Sequence, residues 1–229
     1  MGSGLKSMLL AAPVVGPMLR SARRAVSRAG FPGSASYWEG RYAAGGTSGP
    51  GSYGRLADFK AGVLNRFVRE HRIASVLELG CGDGAQLELA DYPSYVGVDV
   101  SETAVELCRR RFAGDPTKRF IVHGPASVEP LPACELALSL DVIFHLVEDE
   151  VFAGYMAQLF GCATRYVVIY SSDTSAPSDA PHVRHRPFSA WVRDQLPGWR
   201  LLTRVANRHP YAGDIAAGSF ADFFIYAPA

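Results

Sequence analysis

The densest chemistry in this 229-residue sequence lies at residues 76–90, VLELGCGDGAQLELA, where an apolar strand and an acid, Glu78, lead into Gly80, Gly82, Gly84 and then a helix. Glycines are needed where the chain turns sharply and a ligand approaches the backbone with no Cβ in the way. The next apolar strand ends in Asp99, 19 residues after Gly80. An acid at that tip is placed to accept hydrogen bonds from both hydroxyls of a ribose. The pair of features implies a nucleoside-containing cofactor beyond the carboxyl ends of parallel strands. The spacing G-x-G-x-G puts Asp83 where a pyrophosphate would meet a negative charge, so a phosphate-free, positively charged cofactor is expected. Cys81 sits among glycines with no partner base and is given no nucleophilic role.

A second concentration is LSLDVIFHLVED, residues 138–149. His145 follows Asp141 by four residues, so on a helical turn the carboxylate would lie beside the imidazole, orient it and raise its basicity. With an unperturbed pKa of about 6.5, histidine is suited to take a proton near neutrality. His145 is the candidate general base and Asp141 its partner or a metal ligand; the alternative is a histidine packed under the loop. PHVRHRPF, residues 181–188, adds His182, Arg184, His185 and Arg186, whose forks and imidazoles suit polyhydroxyl or anionic groups of an acceptor. The alternative there is a solvated helix entry with Pro187 in its first turn and Trp191 in the core. Asp141, Asp173 and the histidines are also candidates to gather Mg²⁺, without a tight ligand spacing.

These residues need a scaffold, and the hydrophobic pattern supplies one. Strands are expected at Ser75–Leu79, Tyr95–Asp99, Arg119–His123, Glu135–Leu140, Arg165–Tyr170, Trp199–Val205 and Phe220–Tyr226. The gaps between the first five leave room for helices, which indicates β-α-β units and a parallel sheet. Leu56, Phe59, Val63, Leu64 and Phe67 fall on one face of a helix reaching about Glu70. A helix over Glu102–Phe112 has Ser101 as its cap, and one over Asp149–Cys162 begins with acids that suit the positive end of its dipole. Between Ser34 and Tyr53 a Gly/Ser-rich loop carries Tyr37, Trp38, Tyr42 and Tyr53, either as caps on a core edge or as a lid over a ligand.

Composition narrows the class. Hydrophobic residues make up 48% and charged residues 20%, an ordinary globular balance, and the net charge of +1 argues against a general nucleic-acid binder. Residues 1–28 carry five basic residues and no acid, so an N-terminal arm over 1–33 is a separate electrostatic unit: an amphipathic surface, a contact for a homo-oligomer, or disorder. Its apolar run, Met8–Leu19, is broken by prolines and too short to span a bilayer, so no transmembrane segment is expected. Four widely spaced cysteines suggest neither a zinc ribbon nor a disulfide framework and fit a reducing cytoplasm.

The motif E-x-G-x-G-x-G, carried here by Glu78, Gly80, Gly82 and Gly84, together with Asp99, resembles the class I S-adenosylmethionine-dependent methyltransferases over about Leu56–Tyr226. The resemblance implies a single Rossmann-like domain over 34–229, with a seven-stranded, mostly parallel sheet and one antiparallel strand near its end. It implies that Glu78 and the glycine loop flank the methionyl part of S-adenosylmethionine, that Asp99 holds its ribose and Val100 packs by the adenine. The acid often found after the third strand is replaced by His123-Gly124-Pro125-Ala126, so backbone groups around Gly124 to Ser127 are the expected adenine contact. The N/D-P-P-Y/F motif of amine and nucleobase methyltransferases is absent. SYWEGRYAAGGTSGPGSYGRLADFKAGVLNRFV, LDVIFHLVEDEVF and PHVRHRPFSAWV look similar to bacterial sugar O-methyltransferases, including the mycobacterial mannoside 1-O-methyltransferases of methylmannose polysaccharide synthesis. In that likeness, Trp38, Tyr42 and Tyr53 belong to a mobile lid over 34–55, Tyr53 on the cofactor side, while His182, Arg184 and His185 meet the acceptor. The rival readings are a methyltransferase acting on a phenol, carboxylate or amine, and a non-catalytic S-adenosylmethionine-binding module.

Overall fold

The computed structural model describes residues 30–229 except Ala126 and Val128, so the basic arm lies outside the described residues up to residue 29. Seven strands form one sheet: β1 Val76–Leu79, β2 Tyr95–Asp99, β3 Lys118–Val122, β4 Cys134–Leu140, β5 Ala163–Ser171, β6 Trp199–Val205 and β7 Asp222–Pro228. Their order is β3-β2-β1-β4-β5-β7-β6, and only β7 runs against its neighbours. This is the expected Rossmann-like α/β sheet. β1 pairs with β2 on one side and β4 on the other, so the connections leave it in opposite directions, and a crevice opens outside its carboxyl end.

The central strands are apolar because both faces are covered. α2, Gly54–Glu70, and α3, Glu102–Arg111, cover one face with Leu64, Phe67, Val105 and Cys108. α4, Asp149–Gly161, and α5, Phe188–Gln195, cover the other with Phe152, Met156, Leu159 and Phe188. Each fully buried side chain of this kind contributes about 1.5–3 kcal/mol. Ser101 caps α3 by accepting from Ala104 N at 3.0 Å, as its position predicts.

Two expected elements differ. The aromatic stretch after Ser34 is not a loop throughout: Ser34–Ala43 is helix α1, followed by a turn and a 3-10 segment at Pro50–Ser52. Its rings drive this, since Tyr37 stacks on His182 (4.5 Å between centroids) and Trp38 meets His145 edge-on (4.8 Å), giving one helix face a partner. The glycine loop leads into no α-helix but a four-residue 3-10 turn, Gln86–Leu89. Only ten residues separate Gly84 from Tyr95, and Pro93 falls among them, which leaves no length for a helix.

Candidate functional site

A cavity of about 480 Å³ opens at the carboxyl ends of β1, β2 and β4. Its floor is backbone. Gly80 and Gly82 adopt φ of 82° and 58°, and an added Cβ would strike Val142 at the first and Ser48 and Tyr42 at the second, so only glycine fits both the conformation and the space. Asp99 accepts from Gly82 N and Ser101 N, each at 2.9 Å, and fixes the loop against the tip of β2. Burial pushes its carboxyl pKa up, against these backbone hydrogen bonds. Glu78 is more strongly affected: burial raises it to about 7, although the Tyr95 hydroxyl donates to it at 2.7 Å.

The expected cofactor residues Glu78, Gly80, Gly82, Asp99, Val100 and Gly124 all line this cavity, as do Trp38, Tyr42, Asp141 and His145. Gly84 and Tyr53 do not. Gly84 instead turns the chain beneath α3, and the Tyr53 hydroxyl donates to Asp83 at 3.0 Å. The expected adenine wall gains a member that the sequence reading passed over. His123 lines the cavity, and its Nε2 is buried with no hydrogen-bond partner among the described residues. A polar atom left in that state is costly, and a nucleobase edge would satisfy it. On this observation, the residues present fit an adenosyl group.

The roof is α1 and the turn after it, held at three points. Ser34 N donates to Glu148 Oε1 at 2.8 Å, and Val147 N donates to Ser34 Oγ at 3.1 Å. Glu39 accepts from Ser101 Oγ at 2.7 Å and from Thr103, which places its charge at the positive end of α3. Asp83 accepts from Ser48 N (3.0 Å), Ser48 Oγ (2.8 Å) and Tyr53. Burial raises the Asp83 pKa, but these hydrogen bonds outweigh it and the net shift is downward.

Several expected pairings are corrected. Asp141 does not orient His145. It takes the left-handed φ of 59°, which breaks the helical turn, and its Oδ2 pairs with Lys60 Nζ at 2.7 Å. His145 instead uses Nδ1 on the His182 carbonyl at 3.0 Å, so Nδ1 carries the proton and Nε2 the lone pair. Burial lowers its pKa to about 4, leaving a neutral, weakly basic ring. Arg184 does not line the cavity: it donates to the Val147 carbonyl at 2.8 Å and pairs with Asp149 at 3.1 Å, tying down the loop before α4. His182 is spent on the Tyr37 stack, and His185 Nδ1 lies 2.6 Å from Ser172 Oγ; neither lines the cavity. Asp173 is engaged by Ser189. No group of three His, Cys, Asp or Glu among the described residues is arranged to hold a metal ion, and the ammonium on Asp141 opposes the Mg²⁺ role suggested for it.

Lys60 was legible as a lysine at four-residue spacing between Leu56 and Leu64, inside the buried stripe of α2. Asp83 carried no such signal for its part in the roof, because its partners come 30 to 35 residues earlier.

Residues 76–164 match the family described as a methyltransferase domain. The match covers less than half of the chain. The fold agrees with the one expected for a class I S-adenosylmethionine-dependent methyltransferase. The chain is similar to magnesium protoporphyrin IX methyltransferase of Synechocystis PCC 6803, solved with bound S-adenosylmethionine: TM-score 0.56, 16% identity, 76% of this chain and 81% of that one covered. The N-methyltransferase NodS of Bradyrhizobium japonicum WM9, in complex with S-adenosylhomocysteine, gives TM-score 0.61 at 12% identity over 76% and 87%. The CcbJ methyltransferase of Streptomyces caelestis gives TM-score 0.55 at 15% identity over 80% and 94%. No curated protein sequence matches the chain. No helix among the described residues is long and apolar enough to cross a membrane.

Proposed function

We propose that the chain transfers the methyl group of S-adenosylmethionine to a sugar hydroxyl, with a mannoside of polymethylated polysaccharide synthesis as the acceptor class. The observation that supports hydroxyl chemistry most is the neutral His145 ring on the cavity wall, its Nδ1 proton committed to a carbonyl and its Nε2 without a hydrogen-bond partner among the described residues. When bound, S-adenosylmethionine supplies an electrophilic methyl group on a sulfonium. Asp99 would hold the ribose hydroxyls, the backbone of Gly80 to Gly82 the methionyl part, and Val100, His123 and Gly124 the adenine. His145 Nε2 accepts the proton of the acceptor hydroxyl, and alignment of the reacting atoms supplies most of the rate. Trp38 and Tyr42 exclude water and offer rings on which a sugar stacks. The four free, buried cysteines fit a reducing, cytoplasmic setting.

One observation favours a second reading. A ring with a pKa of about 4 is a weak base, and a phenol, carboxylate or neutral amine needs little help in losing a proton. Methyl-labelled S-adenosylmethionine, incubated with oligomannosides, phenols, carboxylates and amines and followed by mass spectrometry, separates the two. Label on a mannoside hydroxyl, with His145→Ala slowing turnover on the order of 10²- to 10⁴-fold, is the expected result. Label on phenols or amines alone, little changed by that substitution, overturns the sugar reading.

A further inference from the structure

One charge sits in the buried stripe of α2. Lys60 is 1% exposed, and its Nζ has the Asp141 carboxylate at 2.7 Å and the Tyr170 ring at 5.3 Å. A buried ion pair is weak evidence for stability, because apolar residues of similar size hold a core as well or better. Asp141 adds a left-handed backbone, which costs on the order of 1 kcal/mol for a residue other than glycine. Asp141 follows β4 directly, and both it and Lys60 line the cavity that Gly80 and Gly82 floor. Val142, next along the chain, packs directly on Gly80. The ammonium takes Asp141 Oδ2, and Oδ1 has no hydrogen-bond partner among the described residues, on a residue that lines the cavity.

We infer that Asp141 is the carboxylate facing the cofactor's sulfur, and that Lys60 is a positioning and charge-offsetting residue that sets the preference between the charged methyl donor and its neutral thioether product. The inference rests on the cofactor reading above. In methyl transfer the carbon–sulfur bond breaks with its electron pair going to sulfur, and the acceptor's lone pair forms the new bond to carbon. The acceptor's proton leaves to a base, and the positive charge on sulfur disappears. An unopposed carboxylate at that point would bind the donor more tightly than the transition state, in which the charge is already dispersing, and would slow the reaction. An ammonium 2.7 Å from the carboxylate brings the local charge near zero, so donor and product are held with similar strength.

Calorimetric titration with S-adenosylmethionine and S-adenosylhomocysteine separately, on the wild type, Lys60→Met, Asp141→Asn and the double variant, tests this without any acceptor. Lys60→Met is expected to shift the ratio of the two affinities toward the charged ligand by about tenfold or more, as expected for a unit charge a few ångströms away in a partly buried site. Asp141→Asn, which leaves the ammonium unopposed, should shift the ratio the opposite way, and the double variant should return it toward the wild-type value. Structural damage lowers both affinities together and leaves the ratio in place. Should Asp141→Asn fail to fold, Lys60→Met decides alone. A wild type that binds both ligands with a ratio unmoved in Lys60→Met overturns the Lys60–Asp141 assignment only, whereas a wild type that binds neither overturns the cofactor reading and this inference with it.

Discussion

The cavity floor is held by main chain in sheet register, with β1 paired from Val76 to Leu79 against β2 and from Val76 to Glu78 against β4, whereas its roof is held by side chains reaching across the opening. Two buried side chains complete the floor, the Asp99 carboxylate accepting from Gly82 N and the Cys108 thiol donating to the Gly82 carbonyl. The roof depends on Glu148, Glu39 and Asp83, three carboxylates on three different elements, each receiving hydroxyl or amide donors from residues 34–53 or from the elements these residues pack on. A floor of this kind moves only when the sheet opens. The roof can release one latch at a time, because each is worth about 1.5–3 kcal/mol as a hydrogen-bonded charge, far less than the stability of a domain. On the reading proposed above, the difference separates the part that fixes cofactor geometry from the part that governs entry.

The sharpest way to break the comparison is at Gly82. Gly82→Ala forces a Cβ into Ser48 and Tyr42 at a φ of 58°, and S-adenosylhomocysteine affinity should fall on the order of 10²-fold or more by calorimetry. Retained affinity would show that the floor tolerates the strained φ and that the roof yields to the added Cβ. Asp83→Ala removes the third latch. Amide exchange across residues 34–53 should then accelerate on the order of tenfold or more while β1 and β2 keep their protection, and unchanged exchange in the roof would contradict its description as separately latched.

A smaller effect comes from pH. His145 has a folded pKa of about 4 against 6.5 in the unfolded chain, so its contribution to stability is fully present above pH 6.5 and is lost as pH falls toward 4. Between pH 7 and pH 4 the wild type should lose on the order of 1–3 kcal/mol more than His145→Gln, measured by denaturant unfolding at each pH; parallel losses would place the ring in solvent rather than under the roof. The smallest effect is expected at Arg184. Arg184→Ala should lower stability by roughly 1 kcal/mol through the loss of the Val147 and Asp149 contacts, while acceptor KM changes less than about twofold, and a large rise in KM would return this residue to the acceptor site.

The floor was legible in the sequence and the roof largely was not, for a physical reason. Gly80, Gly82 and Asp99 act through local backbone conformation and strand position, and both leave a pattern within about 20 residues. The strands were readable for the same reason, as apolar runs of the right length. Asp141 and His145 were singled out as a base and its partner; both line the cavity, but the pairing was read from helical spacing, and the left-handed φ at Asp141 breaks that spacing. The partners that replaced it, Lys60 and the His182 carbonyl, lie 81 and 37 residues away, where only the fold decides proximity. The arginine and histidines of 181–188 look like acceptor groups by type, and in the structure Arg184 and His182 hold the loops and α1 around the cavity.

The most direct measurement of the central claim is calorimetric titration of the purified chain with S-adenosylhomocysteine, alongside Asp99→Ala. The account predicts one-to-one binding that Asp99→Ala weakens by the ~1.5–3 kcal/mol of hydrogen bonds to a charged group, roughly 10- to 150-fold, while the fold is retained. Absence of binding, or equal affinity in the two proteins, would contradict the placement of the cofactor on the tips of β1 and β2.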